Sequence, residues 1–219
     1  MTRIVLASTS PRRRELLSRV GVRFAVVEPT GDEIAPPPGM CSDLCAQLVA
    51  RAKAMAVAAT QPEGTFVLAA DTTVIGPSGP LRKPESPARA REMLLSLSGT
   101  RHSVVTGVCA VAAVTGREAM GVSRSAVRFR EIPAGDLDAY VAGGEPLDKA
   151  GGYAIQGGAA DWVEGVSGRV DTVIGLDVAL ALRLLTETGY PMPLPLAADV
   201  PLAPRQQRRP LSPMRPARV

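Results

Sequence analysis

Three consecutive arginines, Arg12 to Arg14, follow a short apolar segment and open a predicted helix. A helix N-terminus already carries positive partial charge, so each cation in its first turn is unfavourable by roughly 0.3–1 kcal/mol. The arrangement becomes favourable if an anion binds there, because backbone N–H groups, the hydroxyls of Ser8 and Ser10 and the guanidinium groups would all donate to it. The pattern therefore predicts a phosphate site; a solvated basic patch is the alternative.

A second candidate is Asp71, which interrupts the apolar segment 66–75. A carboxylate inside a strand is costly unless it is paired, hydrogen-bonded or bound to a metal. A turn is the alternative, but residues 72–75 continue as strand-forming sequence, and we favour a functional role. Glu33 follows Asp32 in a loop rich in proline and glycine, where exposed acids are common, so its local sequence does not distinguish a functional from a solvent-exposed acid.

Lysine is rare in this chain: of 25 basic residues only three are lysines, Lys53, Lys83 and Lys149. The lysines that remain can mark places that need a compact charge on a flexible side chain instead of a planar guanidinium. Lys53 lies on a predicted helix, and Lys83 follows a predicted hairpin, from where either could reach an anion. A surface lysine without a specific role is the alternative for both.

The segment 143–168 contains eight glycines and includes Gln156. It lacks the GK[ST] and GxGxxG signatures of the common nucleotide-binding loops. Its glycines would allow a ligand to approach the backbone closely, and Gln156 offers both a donor and an acceptor. Cationic groups for a polyphosphate, two carboxylates for a divalent metal and a water, and a polar loop for a base together indicate phosphoanhydride chemistry.

These residues are distributed over alternating predicted strands and helices. The predicted strands lie at 4–7, 24–27, 66–75, 103–114 and 119–130, and the predicted helices at 11–20, 42–59, 87–98, 133–142 and 172–186. Ser10 is predicted to cap the first helix, with Pro11 at its first position. The helix 42–59 is predicted to bury one face, formed by Leu44, Leu48, Ala52, Met55 and Ala56.

Length and composition favour one domain, 1–189, followed by a tail, 190–219. The chain has 219 residues, 46% of them hydrophobic, which suffices for a full core. The tail contains eight prolines and five arginines and is expected to be disordered. No segment has the pattern of a membrane span or a secretion signal, so we expect a cytoplasmic protein without membrane contact.

The charge and cysteine content exclude several other classes of protein. The formal charge is +4, but the residues before position 186 carry 20 basic and 19 acidic side chains. With only 3% aromatic residues, base-stacking surfaces are not expected, and neither is nucleic-acid binding by the body of the chain. The cysteines, Cys41, Cys45 and Cys109, accompany a single histidine, His102, so we interpret them as reduced packing residues. We assign His102 and Trp162 to structural roles.

Several short motifs occur in a fixed order along the chain. They include Leu6-Ala-Ser-Thr-Ser-Pro-Arg-Arg13, Asp32-Glu33, Ala52-Lys-Ala54, Ala70-Asp-Thr72, Lys83-Pro84, Thr106-Gly107, Gly144-Glu-Pro-Leu-Asp-Lys-Ala-Gly151 and Ile155-Gln-Gly157. This ordered set resembles the Maf family of nucleoside triphosphate pyrophosphatases, also described as septum-formation inhibitors, over about residues 3–188. The resemblance implies a Maf/ITPase-like α/β fold with a mixed central sheet, flanking helices and two lobes around a deep cleft.

The resemblance further implies an activity and a set of residue roles. The activity is hydrolysis of a nucleoside triphosphate to the monophosphate and diphosphate, dependent on a divalent cation (Mg²⁺ or Mn²⁺), in a protein that is commonly a homodimer. Asp71 corresponds to the residue that accepts a proton from water, and Glu33 would help to hold the metal or the water. Metal ligation by Asp71 is equally open, since both roles need the carboxylate. The implied phosphate-binding residues are Ser8, Ser10, Arg13, Lys53 and Lys83.

Arg12, Thr72 and Gln156 fall at the positions where the family sets its base preference. A sister branch that acts on 7-methyl-GTP carries Trp, Gln and Glu there, and the present residues match the dTTP/UTP branch. The chain departs from the family pattern at Asp177, where the family has proline, and in the segment 171–174. The expected function is therefore hydrolysis of dTTP and UTP, and also of modified pyrimidine nucleotides, which would remove unwanted nucleotides from the cellular pool.

Three other functions are compatible with parts of this pattern. A non-catalytic nucleotide-binding regulator of cell division or septum formation would not need a water-activating acid, so the intact set of Asp71, Glu33, Lys53 and Lys83 disfavours it. A pyrophosphatase for oxidised or otherwise modified bases would share the reaction and differ in the base pocket. Nucleic-acid binding through the arginine-rich tail is the third.

Overall fold

The computed structural model describes residues 3–30, 37 and 39–192. The helices and strands are, in chain order, β1 (Arg3–Ala7), α1 (Pro11–Ser18), β2 (Phe24–Val27), α2 (Ser42–Ala58), β3 (Thr65–Gly76), β4 (Gly79–Leu81), α3 (Pro87–Leu97), β5 (Arg101–Ala112), β6 (Glu118–Phe129), α4 (Ala134–Ala142), β7 (Val163–Ser167), α5 (Val170–Ile174) and α6 (Val178–Glu187). Short 3-10 helices at Glu145–Asp148, Ala150–Gly152 and Gly158–Trp162 lie between α4 and β7.

The strands form one mixed sheet of seven strands in the order β2-β1-β3-β5-β6-β7, with β4 folded back against β3 as a hairpin. β1 pairs in parallel with β2 and β3, whereas β3–β5, β5–β6 and β6–β7 are antiparallel pairs. β3 and β5 lie at the centre and are buried along most of their length. The predicted α/β class and mixed sheet are confirmed.

The two faces of the sheet are covered by different helices, because successive side chains of a strand point to opposite faces. On one face, Val67 and Ala69 of β3 pack with Ala50 and Ala54 of α2. We call this the α2 face. On the other, Leu68 and Ala70 pack with residues of α1 and α6; this is the α6 face. Together these two cores form the first lobe.

A second lobe surrounds the other ends of β3 and β5. Its core contains Val74 of β3, Leu94 of α3 and a group of aromatic side chains around Phe129. Phe129 makes edge-to-face contacts with Tyr153 and Trp162, at ring-centroid distances of 4.8 and 6.3 Å. The buried position of Trp162 agrees with its predicted structural role. The two lobes share the central strands, and a cleft lies between them, as predicted.

The predicted helix 172–186 is in fact two helices, α5 and α6. Gly175 has φ of 131°, a conformation that side-chain-bearing residues rarely adopt, and it ends α5. Asp177 then caps α6 by accepting a hydrogen bond from the Leu180 N–H at 2.9 Å. Asp171 is 4% exposed and accepts hydrogen bonds from the N–H groups of Thr172 and Val178. The departures from the family pattern therefore shape this break between the helices.

Helix α2 is confirmed, but its predicted buried face is wrong. Leu44 and Met55 are 44% and 37% exposed, whereas Ala46 and Ala54 are fully buried. The cause is close packing on β5, where a Cβ atom at Gly107 would lie 2.3 Å from the Ala46 carbonyl carbon. Only a small side chain fits at this approach, so the buried side chains of α2 are alanines and two valines, Val49 and Val57, while Leu44 and Met55 turn outward.

Two smaller expectations are confirmed in part. Pro11 is the first residue of α1, but the Ser10 side chain makes no capping hydrogen bond; instead the Ser10 N–H donates to Ser8 Oγ at 3.2 Å. Cys109 is buried as predicted, whereas Cys41 is exposed. Within the parts of the chain that are described, no helix is long and apolar enough to cross a bilayer. The tail from residue 193 onward lies outside the described residues, so its disorder stays a prediction.

Candidate functional site

A cavity of about 1110 Å³ lies between the two lobes. It is bounded by the β1–α1 turn, α2, the middle of β3, the segment after β4 and the glycine-rich segment. The candidate residues that line it are Ser8, Ser10, Arg12, Arg13, Lys53, Asp71, Thr72, Lys83 and Gln156. The remaining candidate, Glu33, lies outside the described residues. The structure thus brings together residues that are up to 148 positions apart in the sequence.

Asp71 and Lys53 form an ion pair inside this cavity. Lys53 Nζ donates to Asp71 Oδ1 at 2.6 Å, and the two side chains are 24% and 18% exposed. Asp71 points to the α2 face, and its antiparallel partner in β5 is Gly107. Because Gly107 has no Cβ, α2 can lie directly on β5, which brings Lys53 within reach of Asp71. Sequence reasoning included Gly107 in a motif but gave it no role.

Arg13 is held by three hydrogen bonds from its guanidinium group. Nε donates to the Gly175 carbonyl at 2.8 Å, Nη1 to Ser8 Oγ at 3.3 Å and Nη2 to Thr72 Oγ1 at 3.2 Å. Burial lowers the pKa of Arg13 from its ordinary value, and the charge of Asp71 opposes this effect. A guanidinium group has five N–H donors, so two remain for a ligand. Arg14, by contrast, is exposed and does not line the cavity, so the three arginines do not act as one group.

Lys83 and Gln156 are the exposed members of the set. Both line the cavity, and neither side chain makes a hydrogen bond or an ion pair with another described residue. A long side chain without fixed partners keeps its donors available to a ligand but must lose rotamer freedom on binding. Their positions are compatible with the predicted contacts to a polyphosphate and a base.

The glycine-rich segment is shaped by contacts within the protein. A Cβ atom at Gly157 would lie 1.9 Å from Glu145 Oε1, so this glycine admits the Glu145 carboxylate, not a ligand as the sequence suggested. Glu145 accepts hydrogen bonds from Tyr140 Oη and the Gly158 N–H, both at 3.1 Å. Lys149 Nζ donates to the Glu145 carbonyl at 2.7 Å. Sequence reasoning missed Glu145, although it lies within one of the matched motifs.

A buried polar pair supports the same segment from β5. His102 is 3% exposed, and its Nε2 lies 2.7 Å from Tyr153 Oη. Burial lowers the pKa of His102 to about 4, so the ring is neutral at physiological pH. Its Nδ1 has no hydrogen-bond partner among the described residues. The predicted structural role of His102 agrees with this position, and Tyr153 is a cavity-lining residue that sequence reasoning missed.

The residues of the cavity fit a magnesium-like cation bound together with phosphate. Asp71 Oδ2 makes no hydrogen bond or ion pair with any residue that the structure describes, and Glu28, Glu85 and Asp148 also line the cavity. Within the described ranges there is no cluster of three or more His, Cys, Asp or Glu side chains that could enclose a metal ion. Mg²⁺ is usually held by one or two carboxylates with substrate phosphates and water, which this donor set allows.

The fold and the cavity define an α/β protein with cationic and acidic groups gathered in one cleft. A family model described as Maf-like protein matches residues 3–188. The chain belongs to the Maf family.

Three relatives share close to half of their residues with this chain. A dTTP/UTP pyrophosphatase from Anaeromyxobacter sp. (strain Fw109-5) is 46% identical over 93% of this chain and 96% of its own length. The proteins of the same name from Moorella thermoacetica and Myxococcus xanthus are each 45% identical, over 86% and 88% of this chain and 96% and 95% of their own lengths. Among solved structures, a nucleoside-triphosphatase / dITP/XTP pyrophosphatase from Mycobacterium abscessus aligns over 61% of this chain and 77% of that one, with 17% identity and a TM-score of 0.38.

Proposed function

We propose that this protein hydrolyses dTTP and UTP to the nucleoside monophosphate and diphosphate. The observation that carries the proposal is the cavity that Asp71 lines together with Arg13, Lys53 and Lys83. Relatives that are 46% and 45% identical over nearly their whole length carry the name dTTP/UTP pyrophosphatase. A polyphosphate needs such cations, and its hydrolysis needs a group that can accept a proton from water.

In the proposed reaction a water molecule attacks the α-phosphorus of the nucleotide. A new P–O bond forms, the bond between the α-phosphorus and the bridging oxygen to the β-phosphate breaks, and diphosphate leaves. The proton of the water passes to the Asp71 carboxylate, whose Oδ1 is held by Lys53 at 2.6 Å. Lys53 thereby fixes the carboxylate, while its remaining N–H donors point to no described partner and suit a phosphate oxygen.

The phosphate chain would contact the β1–α1 turn and the two lysines. Ser8 and Ser10 supply hydroxyl groups, and the helix end beside them favours anions. Arg13 contributes its two remaining N–H donors, already oriented by its bonds to Gly175 and Thr72. Lys83 adds an exposed ammonium group to the cavity wall. This arrangement concentrates positive charge where the diphosphate leaving group develops negative charge.

A divalent cation, Mg²⁺ or Mn²⁺, would be held by Asp71 and Glu33 together with phosphate oxygens. When bound, it would neutralise phosphate charge and favour the leaving group. The base would be recognised by Arg12, Thr72 and Gln156, which line the cavity. The Gln156 amide carries a donor and an acceptor, as the edge of uracil or thymine does. A homodimer and a cytoplasmic location stay predictions, the first of which analytical ultracentrifugation checks.

The test is to incubate the purified protein with a panel of nucleoside triphosphates and Mg²⁺ or Mn²⁺, measuring diphosphate and orthophosphate separately. Diphosphate is expected from dTTP and UTP, and Asp71→Asn is expected to reduce the rate by roughly 10²–10⁴-fold. Asp43→Asn is the matched control, because Asp43 forms an exposed ion pair with Arg124 at 2.6 Å, away from the cavity.

Two other results would each contradict one part of the proposal. Comparable cleavage of dTTP and 7-methyl-GTP would overturn the pyrimidine preference and leave the reaction class intact. Nucleotide binding without turnover of any triphosphate would overturn the enzymatic function and favour the nucleotide-binding regulator.

A further inference from the structure

Behind Thr72, on the α6 face, a chain of buried hydrogen bonds leads away from the cavity. Thr72 Oγ1 lies 3.0 Å from Thr106 Oγ1, directly across the β3–β5 pair. Thr106 is fully buried, and its hydroxyl lies 2.8 Å from the Thr172 carbonyl oxygen on α5. Neither the proposed reaction nor the predicted site residues give Thr106 a function.

The direction of these hydrogen bonds follows from counting protons. A threonine hydroxyl donates one hydrogen bond and accepts up to two. The Thr172 carbonyl can only accept, and the amide four residues on, that of Leu176, donates to Asp171 instead at 3.0 Å. A buried carbonyl without a donor costs about 1–3 kcal/mol, so Thr106 donates its proton to Thr172. Thr106 can then only accept from Thr72.

The orientation of Thr106 therefore fixes the polarity of Thr72. The Thr72 proton points to Thr106 Oγ1 at 3.0 Å, because the other acceptor near it, the Gly175 carbonyl, is 3.5 Å away and already receives Arg13 Nε. One acceptor position of Thr72 Oγ1 receives Arg13 Nη2 at 3.2 Å. The second acceptor position of Thr72 Oγ1 is left for a ligand, since Thr72 lines the cavity. Thr72 thus presents an acceptor, and no donor, to whatever base binds beside it.

A group of fixed polarity is needed because Gln156 cannot separate uracil from cytosine by itself. Its side chain is exposed and has no hydrogen-bond partner among residues 3–30, 37 and 39–192, so its amide is free to turn over. In one orientation it matches a ring N3–H and a carbonyl, and in the other a ring nitrogen lone pair and an amino group. Uracil and thymine carry a proton on N3, whereas cytosine carries a lone pair there.

We infer that Thr106 is a positioning residue that makes this cavity select uracil and thymine over cytosine, by holding the Thr72 hydroxyl as an acceptor. The inference rests on the proposed function, in which Thr72 contacts the base. An acceptor at Thr72 shares the N3–H of uracil or thymine with the Gln156 carbonyl oxygen in a three-centre hydrogen bond, and it repels the N3 lone pair of cytosine. Without Thr106 Oγ1, the acceptor left to the Thr72 proton among the described residues is the Gly175 carbonyl at 3.5 Å, a contact long enough for the proton to turn toward the base instead and donate to cytosine N3.

The test is to compare UTP and CTP as substrates of Thr106→Val, which keeps the shape of the side chain and removes the hydroxyl. The ratio of kcat/KM for UTP to that for CTP is expected to fall about tenfold, which corresponds to one hydrogen bond of ordinary net strength. The change should lie in KM, since the base does not take part in bond breaking. Thr106→Ser retains the hydroxyl and is expected to restore the ratio.

Thr65→Val is the matched control for the loss of a buried hydroxyl. Thr65 is 1% exposed, lies on the same strand as Thr72 and bonds to Arg3 at 3.0 Å, outside the cavity. It is expected to leave the UTP to CTP ratio unchanged. An unchanged ratio in Thr106→Val, or a parallel loss for both substrates, would overturn the inference and leave Thr106 with a structural role alone.

Two further measurements test the inference if Thr106→Val does not fold or if the protein does not hydrolyse these nucleotides. Thr72→Val removes the acceptor itself and is expected to reduce the ratio as Thr106→Val does, with no further loss in the double variant. Calorimetric binding of UMP and CMP tests the same preference without catalysis. Absence of diphosphate release would overturn the proposed function, whereas equal UMP to CMP binding ratios in the unmodified chain and Thr106→Val would overturn the role of Thr106.

Discussion

The two faces of β3 are built differently at the point where they reach the cavity. On the α2 face, Asp71 has one described partner, Lys53, and the pair is open to the cavity. On the α6 face, Thr72 belongs to a series of hydrogen bonds that includes Arg13, Thr106 and the carbonyl of α5. Adjacent residues of one strand therefore enter two different environments.

The difference corresponds to the two tasks that the proposed reaction sets. Asp71 and Lys53, which are proposed to act on water and phosphate, must exchange partners during turnover, so few fixed hydrogen bonds suit them. Thr72, which is proposed to contact the base, must keep a defined direction, which a satisfied buried network provides. The alternation of a strand supplies both environments within two residues.

Among the variants that compare the two faces, the largest effect is expected from Lys53→Gln, which removes the only described partner of the Asp71 side chain on the α2 face. We expect kcat/KM for dTTP to fall roughly 10²–10³-fold, because a cation that stabilises developing phosphate charge is lost. Arg51→Gln is the control. Arg51 lies on the same helix, forms an exposed ion pair with Glu118 at 2.8 Å and does not line the cavity. Activity in Lys53→Gln equal to that of Arg51→Gln would remove Lys53 from the proposed machinery.

The next prediction tests the close approach between α2 and β5 at Gly107. A methyl group at Gly107 would overlap the backbone of α2, with 2.3 Å to Ala46 C and 2.5 Å to Gln47 N. We expect Gly107→Ala to lower the free energy of unfolding by about 3 kcal/mol, near the upper end for overpacking, because a helix backbone cannot rotate aside. Urea denaturation followed by circular dichroism measures this.

Gly121→Ala on the α6 face is the comparison for Gly107. There the Cβ atom would meet Leu180 Cδ1 at 2.7 Å, the end of a side chain that can change rotamer. A smaller loss of stability is therefore expected. If both variants lose the same free energy of unfolding, the loss at Gly107 is due to replacing a glycine and not to the overlap with the α2 backbone.

The sequence predicted the α/β class, the order of most strands and helices, and the convergence of the phosphate-binding candidates. These depend on patterns that act locally, such as the apolar strand before Pro11, or on motifs whose order is distinctive. The buried face of α2 was not predictable in this way. Hydrophobicity favours Leu44 and Met55 as buried residues, but the close approach at Gly107 leaves room only for the small side chain of Ala46. That constraint comes from a strand about 60 residues away in the sequence.

The glycine-rich segment and the α5–α6 break show a second limit. A glycine can admit a ligand or a neighbouring side chain, and sequence does not distinguish them; at Gly157 the neighbour is Glu145. Residues 172–186 have continuous helical character, so the break depends on Gly175 and on Asp177 as a cap. The role of Thr106 was likewise hidden, because a threonine in an apolar strand fits simple packing equally well.

A comparable effect is expected in the second lobe, where His102 is buried neutral with its pKa lowered to about 4. In the unfolded chain the pKa is near 6.5, so between pH 6.5 and 4 the unfolded state binds more protons. The free energy of unfolding is therefore expected to fall as the pH falls through this window, by up to about 3 kcal/mol. Denaturation midpoints at several pH values measure this.

His102→Gln provides the control for that dependence. Glutamine retains a group that can bond to Tyr153 Oη but does not titrate. The loss of stability between pH 6.5 and 4 should be reduced in this variant, with the remainder due to carboxylates. Identical pH dependence in both proteins would contradict the assignment of His102 as the buried neutral group that must be protonated on unfolding.

The smallest effect is expected at Asp177, where the chain departs from the family pattern. Its carboxylate caps α6 through the Leu180 N–H at 2.9 Å and lies 3.2 Å from Arg169 Nε. Asp177→Ala should lower the free energy of unfolding by about 1 kcal/mol, the usual cost of losing an N-cap, whereas Asp138→Ala, which breaks an exposed pair with Arg91, should cost less. Because Arg13 is bound to the neighbouring Gly175 carbonyl, a shift of α6 would also raise the KM for dTTP. If Asp177→Ala lowers the stability but leaves the KM for dTTP unchanged, Asp177 acts only as a helix cap. The break between α5 and α6 would then have no influence on nucleotide binding at the α6 face.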